Sequence, residues 1–72
     1  MKIILYSQKI TRENSNYIQL CITELLKYKT RLFVLESLYN DSKRKINFPD
    51  KIHIIKQISK VHKIDLLICF GG

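Results

Sequence analysis

A chain of 72 residues is one small domain, and a domain of this size buries only about 60% of its unfolded surface, so its stability margin is narrow. Thirteen basic and six acidic residues give a net charge of +7, which favours polyanionic partners: nucleotides, nucleic acid or anionic surfaces. The two cysteines, Cys21 and Cys69, stand outside any CxxC pattern, which argues against a disulfide framework and reads as two small apolar core residues in a reducing cytosol.

No signal-peptide core follows the start, and no apolar run nears the roughly 18 residues of a bilayer span. A cytoplasmic location without a membrane partner is therefore expected. Lys2 to Ser7 reads as a strand: Ile3, Ile4 and Leu5 run together without helical period, as in a parallel sheet covered on both faces. Ser7 to Glu13 is polar and reads as a loop. Asn14 or Ser15 is the expected helix N-cap. Ile18, Cys21, Ile22, Leu25 and Leu26 then recur at three- and four-residue spacing, one apolar stripe on a helix of about four turns. Lys27 and Lys29 complement the dipole at its end.

Arg31 to Glu36 is the second strand, carried by Leu32, Phe33, Val34 and Leu35. Residues 2 to 36 thus have the size of one βαβ unit, whose strands are parallel and whose crossover is right-handed. Ser37 to Asp50 is the least regular stretch, with a short helical turn at Leu38 and Tyr39, a basic run at Lys43-Arg44-Lys45 and turn chemistry around Pro49. It is expected to be flexible or inserted. Ile52, Ile55, Ile58 and Val61 follow a helical period, although their β-branching also admits a strand over part of the stretch. After Asp65, the run Leu66 to Phe70 reads as a buried central strand that leads into Gly71-Gly72.

The expected fold is α/β, a Rossmann-like three-layer unit over residues 1–72. Its short parallel sheet has three strands and flanking helices, and it is incomplete. Gly71 and Gly72 are the only glycines, which excludes GxxxxGK[ST] and GxGxxG loops. In open parallel sheets ligands bind beyond the carboxyl ends of the strands. Glycines there let a backbone approach a phosphate, and Gly71 and Gly72 are the candidate nucleotide-binding residues. The same pair also fits a plain turn after a strand.

The run Asp65-Leu66-Leu67-Ile68-Cys69-Phe70-Gly71-Gly72 resembles the strand that enters the Gly-Gly-Asp-Gly motif of NAD kinases. Met1-Lys2-Ile3-Ile4-Leu5-Tyr6 is similar to that family's opening strand, and Phe48-Pro49 to a variable middle segment of members from Bacteroidetes-like bacteria. The resemblance spans the chain and about the first quarter of a family member. It implies transfer of the terminal phosphoryl of ATP to the 2′-hydroxyl of the adenosine ribose of NAD, giving NADP, with a divalent metal such as Mg and a homo-oligomeric complete enzyme. Gly71 and Gly72 match the first two motif positions. The motif's aspartate falls outside the chain, so the expectation is a truncated N-terminal piece that binds neither ATP nor metal tightly and does not catalyse alone. Diacylglycerol kinases and phosphofructokinases carry similar turns.

Other residues keep two readings. Ser7, Gln8 and Lys9 follow the first strand and belong to the sheet edge of Gly71; Lys9 steers a phosphate or is a solvated loop lysine. Glu36 ends the second strand, where a carboxylate binds ribose hydroxyls in dinucleotide folds, although no Gly-rich first turn accompanies it. Lys43-Arg44-Lys45 contacts phosphate or is a solvated surface. His53 and His62 lack a zinc-ligand spacing, and the aromatic residues form no stacking platform for single-stranded nucleic acid. The alternatives are a small flavodoxin-like or receiver-like nucleotide-binding module and a basic nucleic-acid-binding domain; binding to nucleic acid is not expected.

Overall fold

Lys2–Ser7 forms β1, and its run of branched side chains does what such runs do at the middle of a parallel sheet: Ile3, Ile4 and Leu5 are each at most 1% exposed. The computed structural model describes residues 1–70, so Gly71 and Gly72 lie outside the described residues. A loop leads to α1, Arg12–Leu25. The helix starts earlier than Asn14, because Thr11 and not Asn14 or Ser15 is its N-cap. Thr11 Oγ1 accepts the Asn14 N–H at 3.1 Å, and Asn14 Oδ1 accepts the Thr11 N–H at 2.7 Å. This is a capping box with asparagine at the third helical position, where Glu or Gln is usual. Ser15 is buried inside the first turn, its Oγ donating to the Arg12 carbonyl at 2.9 Å.

The apolar stripe of α1 faces the sheet. Ile18 and Ile22 are buried against Ile3, Leu5 and Leu32, with Cys21 and Leu25 half-buried beside them. Leu26 is the C-cap and is exposed, which narrows the stripe at its end. Burial pushes the Cys21 thiol above its ordinary pKa. Lys27 pairs with Glu24 at 3.1 Å on the surface, where such a pair contributes little.

Arg31–Leu35 is β2, parallel to β1 with Ile3 opposite Leu32 and Leu5 opposite Val34. Glu36 does not end this strand. It opens α2, Glu36–Ser42, a full two turns where only a turn at Leu38 was expected. Leu38 and Ser42 anchor it, the buried Ser42 hydroxyl donating to the Leu38 carbonyl at 2.6 Å. The next stretch is also more ordered than its composition suggested. Ile46 is 2% exposed, and Phe48 and Ile52 pack on the core. Gln19 of α1 holds Asn47 at both ends, donating to its carbonyl at 3.1 Å and accepting its N–H at 2.6 Å.

The helix expected over Ile52 to Val61 is not formed. His53–Ile55 is a strand, β3, followed by a single 3-10 turn at Ile58–Lys60. The β-branched side chains suit a pleated surface better than a helix, and β2 offers an open edge: Phe33 pairs with His53 and Leu35 with Ile55. The Phe33 and His53 rings stack at 4.9 Å. The sheet therefore has four strands rather than three.

β4, Leu66–Phe70, pairs with the other side of β1, Leu5 opposite Ile68 and Ser7 opposite Phe70. Its start is tied down by Asp65, whose N–H donates to the Lys2 carbonyl at 2.9 Å and whose Oδ2 accepts the Lys2 N–H at 2.7 Å. Lys63, in the turn before it, has φ of 57°, the left-handed region that costs an L-residue energy. Among the described residues β4 is an edge strand and not the buried centre: Ile68 and Phe70 pack on the core, but Leu66 and Leu67 are each 47% exposed. Cys69 is exposed as well, so only Cys21 of the two cysteines joins the core.

The strand order is β3-β2-β1-β4, all parallel. The chain winds outwards from β1 to β3 and then crosses back to the far side of β1. That reversal makes the β1–β4 seam a topological switch point, and the order matches the first four positions of the doubly wound order 3-2-1-4-5-6. A flavodoxin-like module has β3 beside β1 (order 2-1-3), which this sheet does not. The radius of gyration, 11.2 Å, matches the about 11 Å expected for a folded chain of this length.

Candidate functional site

The switch point predicts where a ligand crevice should open: above the carboxyl ends of β1 and β4. A cavity of about 890 Å³ lies there, within the size range of small-molecule sites. Tyr6, Tyr17 and Phe70 give it aromatic walls, and Gln8, Lys9 and Glu13 supply its polar groups. Tyr6 comes from β1 and Phe70 from β4; Tyr17 projects from the second turn of α1.

The loop between β1 and α1 forms one rim, and it is held by its own hydrogen bonds. Ser7 Oγ, nearly buried, lies 2.8 Å from the Lys9 carbonyl and 3.2 Å from the Phe70 carbonyl. A hydroxyl has one proton, so it serves these two acceptors in turn and thereby links the loop to β4. Asn14 Nδ2 donates to the Lys9 carbonyl at 2.7 Å and lies 3.5 Å from Ser7 Oγ. Asn14 thus caps α1 with its oxygen and pins the loop with its nitrogen. The N–H groups of Arg12 and Glu13, in the first turn, have no acceptor within the helix, and the helix dipole leaves this end partly positive. With the Lys9 ammonium, the rim favours an anion.

A second cavity of about 460 Å³ lies on the other side of the same loop. It shares Tyr6, Gln8 and Lys9 with the first and is closed by Ser37, Leu38 and Asp41 of α2. The loop is therefore a ridge with a compartment on each side. The first compartment combines the rings of Tyr6, Tyr17 and Phe70 with the Glu13 carboxylate, and the second carries the Asp41 carboxylate and the hydroxyl residues Tyr6, Ser7 and Ser37.

The structure gathers Ser7, Gln8 and Lys9 at this edge, in register with the end of β4. The candidate pair Gly71 and Gly72 lies outside the described residues. Glu36 lines neither compartment, because α2 begins at it; Asp41, more than a turn later, is the carboxylate that does. Lys43, Arg44 and Lys45 line neither compartment either. Asp41 and Tyr17 line the compartments without standing out in the sequence, and Asn14 stands out there only as a helix N-cap candidate. Ser37 and Asp41 have the i,i+4 spacing that signals a shared helix face, legible once α2 is known to run two turns. Among the described residues no three His, Cys, Asp or Glu side chains form a metal-sized group, and no helix is long and apolar enough to cross a membrane.

Comparison with known proteins found no matching family model, no matching curated protein and no matching solved structure. What is established is a small α/β domain with a four-strand parallel sheet and a cleft at its switch point.

Proposed function

We propose that the cleft at the carboxyl ends of β1 and β4 is a nucleotide site, and that the chain is the N-terminal part of an NAD kinase-like nucleotide-binding domain. The observation that carries the proposal is the coincidence of three features: the strand reversal, the cavity above it and an anion-favouring helix start on its rim. The resemblance of the 65–72 run to the strand entering a Gly-Gly-Asp-Gly motif supplies the reaction class, phosphoryl transfer from ATP to NAD.

The polar groups of the larger compartment suit the phosphates of ATP or NAD: Lys9 and the α1 start offer donors and positive charge. Among its described lining residues Glu13 is the one carboxylate. Mg²⁺ commonly uses one or two carboxylates together with substrate phosphates. The site thus fits a metal that arrives on the phosphates and is held by Glu13, where it would neutralise phosphate charge. Positioning and electrostatics dominate phosphoryl transfer, and these 72 residues contain no Gly-Gly-Asp-Gly aspartate to orient the acceptor hydroxyl. Binding without turnover is the expected behaviour of the 72-residue polypeptide.

The test is a titration of the ¹⁵N-labelled chain with ATP, NAD and, as control, an uncharged nucleoside, followed by amide chemical shifts. The reading requires saturable shifts at Gln8 to Asn14 and at Cys69 and Phe70 with both nucleotides, and no NADP formed when NAD, ATP and Mg²⁺ are combined. Shifts confined to Lys43–Lys45, or none at all, would overturn it.

A further inference from the structure

Resting on the nucleotide reading above, we infer that the compartment beside α2 is a subsite for the cis-diol of a ribose, read by Asp41 with Ser37, while the phosphates lie on the loop ridge at Lys9. The compartment of about 460 Å³ has ample room for a pentose. Its chemistry is selective. Asp41 and Ser37 are one helical turn apart on α2, so both reach the same opening. An ionised carboxylate only accepts hydrogen bonds, and two adjacent hydroxyls are a neutral ligand group that can donate two side by side. A phosphate in the same place faces Asp41 with like charge, whereas on the shared ridge it meets the Lys9 ammonium. The two groups therefore sort one ligand: anion on the ridge, diol in the α2 compartment.

Among the described residues Asp41 makes no side-chain hydrogen bond and no ion pair. The ion pair among the described residues is Lys27–Glu24, at the opposite end of α1, and the side-chain hydrogen bonds of α2 are accounted for by Ser42. In a chain of net charge +7, a carboxylate left uncommitted beside Lys9 is available to a ligand. Glu36, which by position at the end of β2 was the expected diol partner, opens α2 and lines neither compartment, so the role falls to Asp41.

The test compares ATP, 2′,3′-dideoxy-ATP and inorganic tripolyphosphate by calorimetry on the wild-type chain, Asp41→Asn and Asp41→Ala. Asp41 is exposed, so neither variant is expected to disturb folding, and circular dichroism checks this. The expected result is about tenfold weaker binding of the dideoxy nucleotide than of ATP by the wild type, a difference of about 1.4 kcal/mol. Both variants should lose that discrimination and hold tripolyphosphate at least as well as the wild type. Equal wild-type affinity for ATP and its dideoxy analogue overturns the diol subsite and leaves the nucleotide reading standing. Discrimination that persists in both variants overturns the role of Asp41. If the wild type binds none of the three, the nucleotide site and the diol subsite fall together.

Discussion

Replacing Asn14 by alanine tests how the cleft rim is built. The substitution removes two short hydrogen bonds, Thr11 N–H to Asn14 Oδ1 and Asn14 Nδ2 to the Lys9 carbonyl, each 2.7 Å. The contact to Ser7 Oγ, at 3.5 Å, is at the limit and contributes little. Both short bonds are exposed, so water replaces part of each, and about 0.5–1 kcal/mol apiece is appropriate. Alanine returns about 0.5 kcal/mol of helix propensity. The net loss is about 1 kcal/mol, which in a domain of this size lowers Tm by roughly 4–8 °C. Total stability for such a chain is on the order of 4–11 kcal/mol, so the change is readily measured by urea or thermal unfolding.

Asn14→Asp separates the two bonds. The carboxylate keeps the acceptor for Thr11 and gains about 0.3–1 kcal/mol from the helix start, but it cannot donate to the Lys9 carbonyl. Its stability should therefore stay near wild type while the loop is released. Hydrogen exchange distinguishes the two ends. Thr11 N–H loses protection in Asn14→Ala and keeps it in Asn14→Asp. Nucleotide affinity should fall in both, because the Lys9 carbonyl is unpinned in both. If Asn14→Ala unfolds within about 0.3 kcal/mol of wild type with unchanged Thr11 exchange, the capping box is not what organises this rim.

Four further outcomes follow from other parts of the fold. Lys63 sits at φ of 57°, so Lys63→Gly should raise stability by about 0.5–1 kcal/mol in urea unfolding, and a decrease would mean the lysine side chain has an unrecognised role. Leu67→Lys, on an exposed position of edge strand β4, should leave stability within about 0.5 kcal/mol and reduce self-association in sedimentation; a wild-type chain that stays monomeric at millimolar concentration refutes the second half. Cys69 should be alkylated before Cys21. Burial raises the Cys21 pKa, so at mildly alkaline pH it holds less thiolate. The same shift has a stability sign. The folded state keeps the Cys21 proton longer than the unfolded state, so its contribution is intact below the ordinary thiol range and is lost as pH rises through the folded pKa. Cys21→Ala should flatten that alkaline slope, and an unchanged slope would assign it to other groups.

The parts of the fold that were legible in the sequence are those where one side-chain pattern admits one structure. The apolar run of β1 gave its bounds, Lys2–Ser7, and the stripe Ile18, Ile22, Leu25 gave the buried face of α1. Ambiguity arose where the pattern fits two structures. Ile52, Ile55 and Ile58 have helical spacing, but the strand needs only His53 to Ile55, and a free β2 edge decides in its favour. The later part of the irregular stretch Ser37 to Asp50 takes its order from distant partners, Gln19 for Asn47 and the α1–sheet core for Ile46, which no local signal reports.

The site shows the same division. That the carboxyl ends of the strands are the place for a cleft follows from the parallel pattern alone, and Ser7, Gln8 and Lys9 line the compartment found there. Asp41 was hidden because its relevance depends on the length of α2: in a single turn at Leu38 and Tyr39 it would lie beyond the helix, whereas two turns bring it to the opening. β4 connects this to the rest of the molecule. Apolar runs of that composition are usually covered on both faces, yet Leu66, Leu67 and Cys69 are exposed, the surface that such a strand leaves bare when one side lacks a neighbour. It also carries none of the lysine, proline or bulge that protects a natural edge. The same strand supplies Phe70 to the cleft, so anything that pairs with β4 acts on the wall of the proposed nucleotide site. Chemical shifts of Phe70 should therefore respond both to ATP and to Leu67→Lys, and independence of the two would separate the strand's edge from the site.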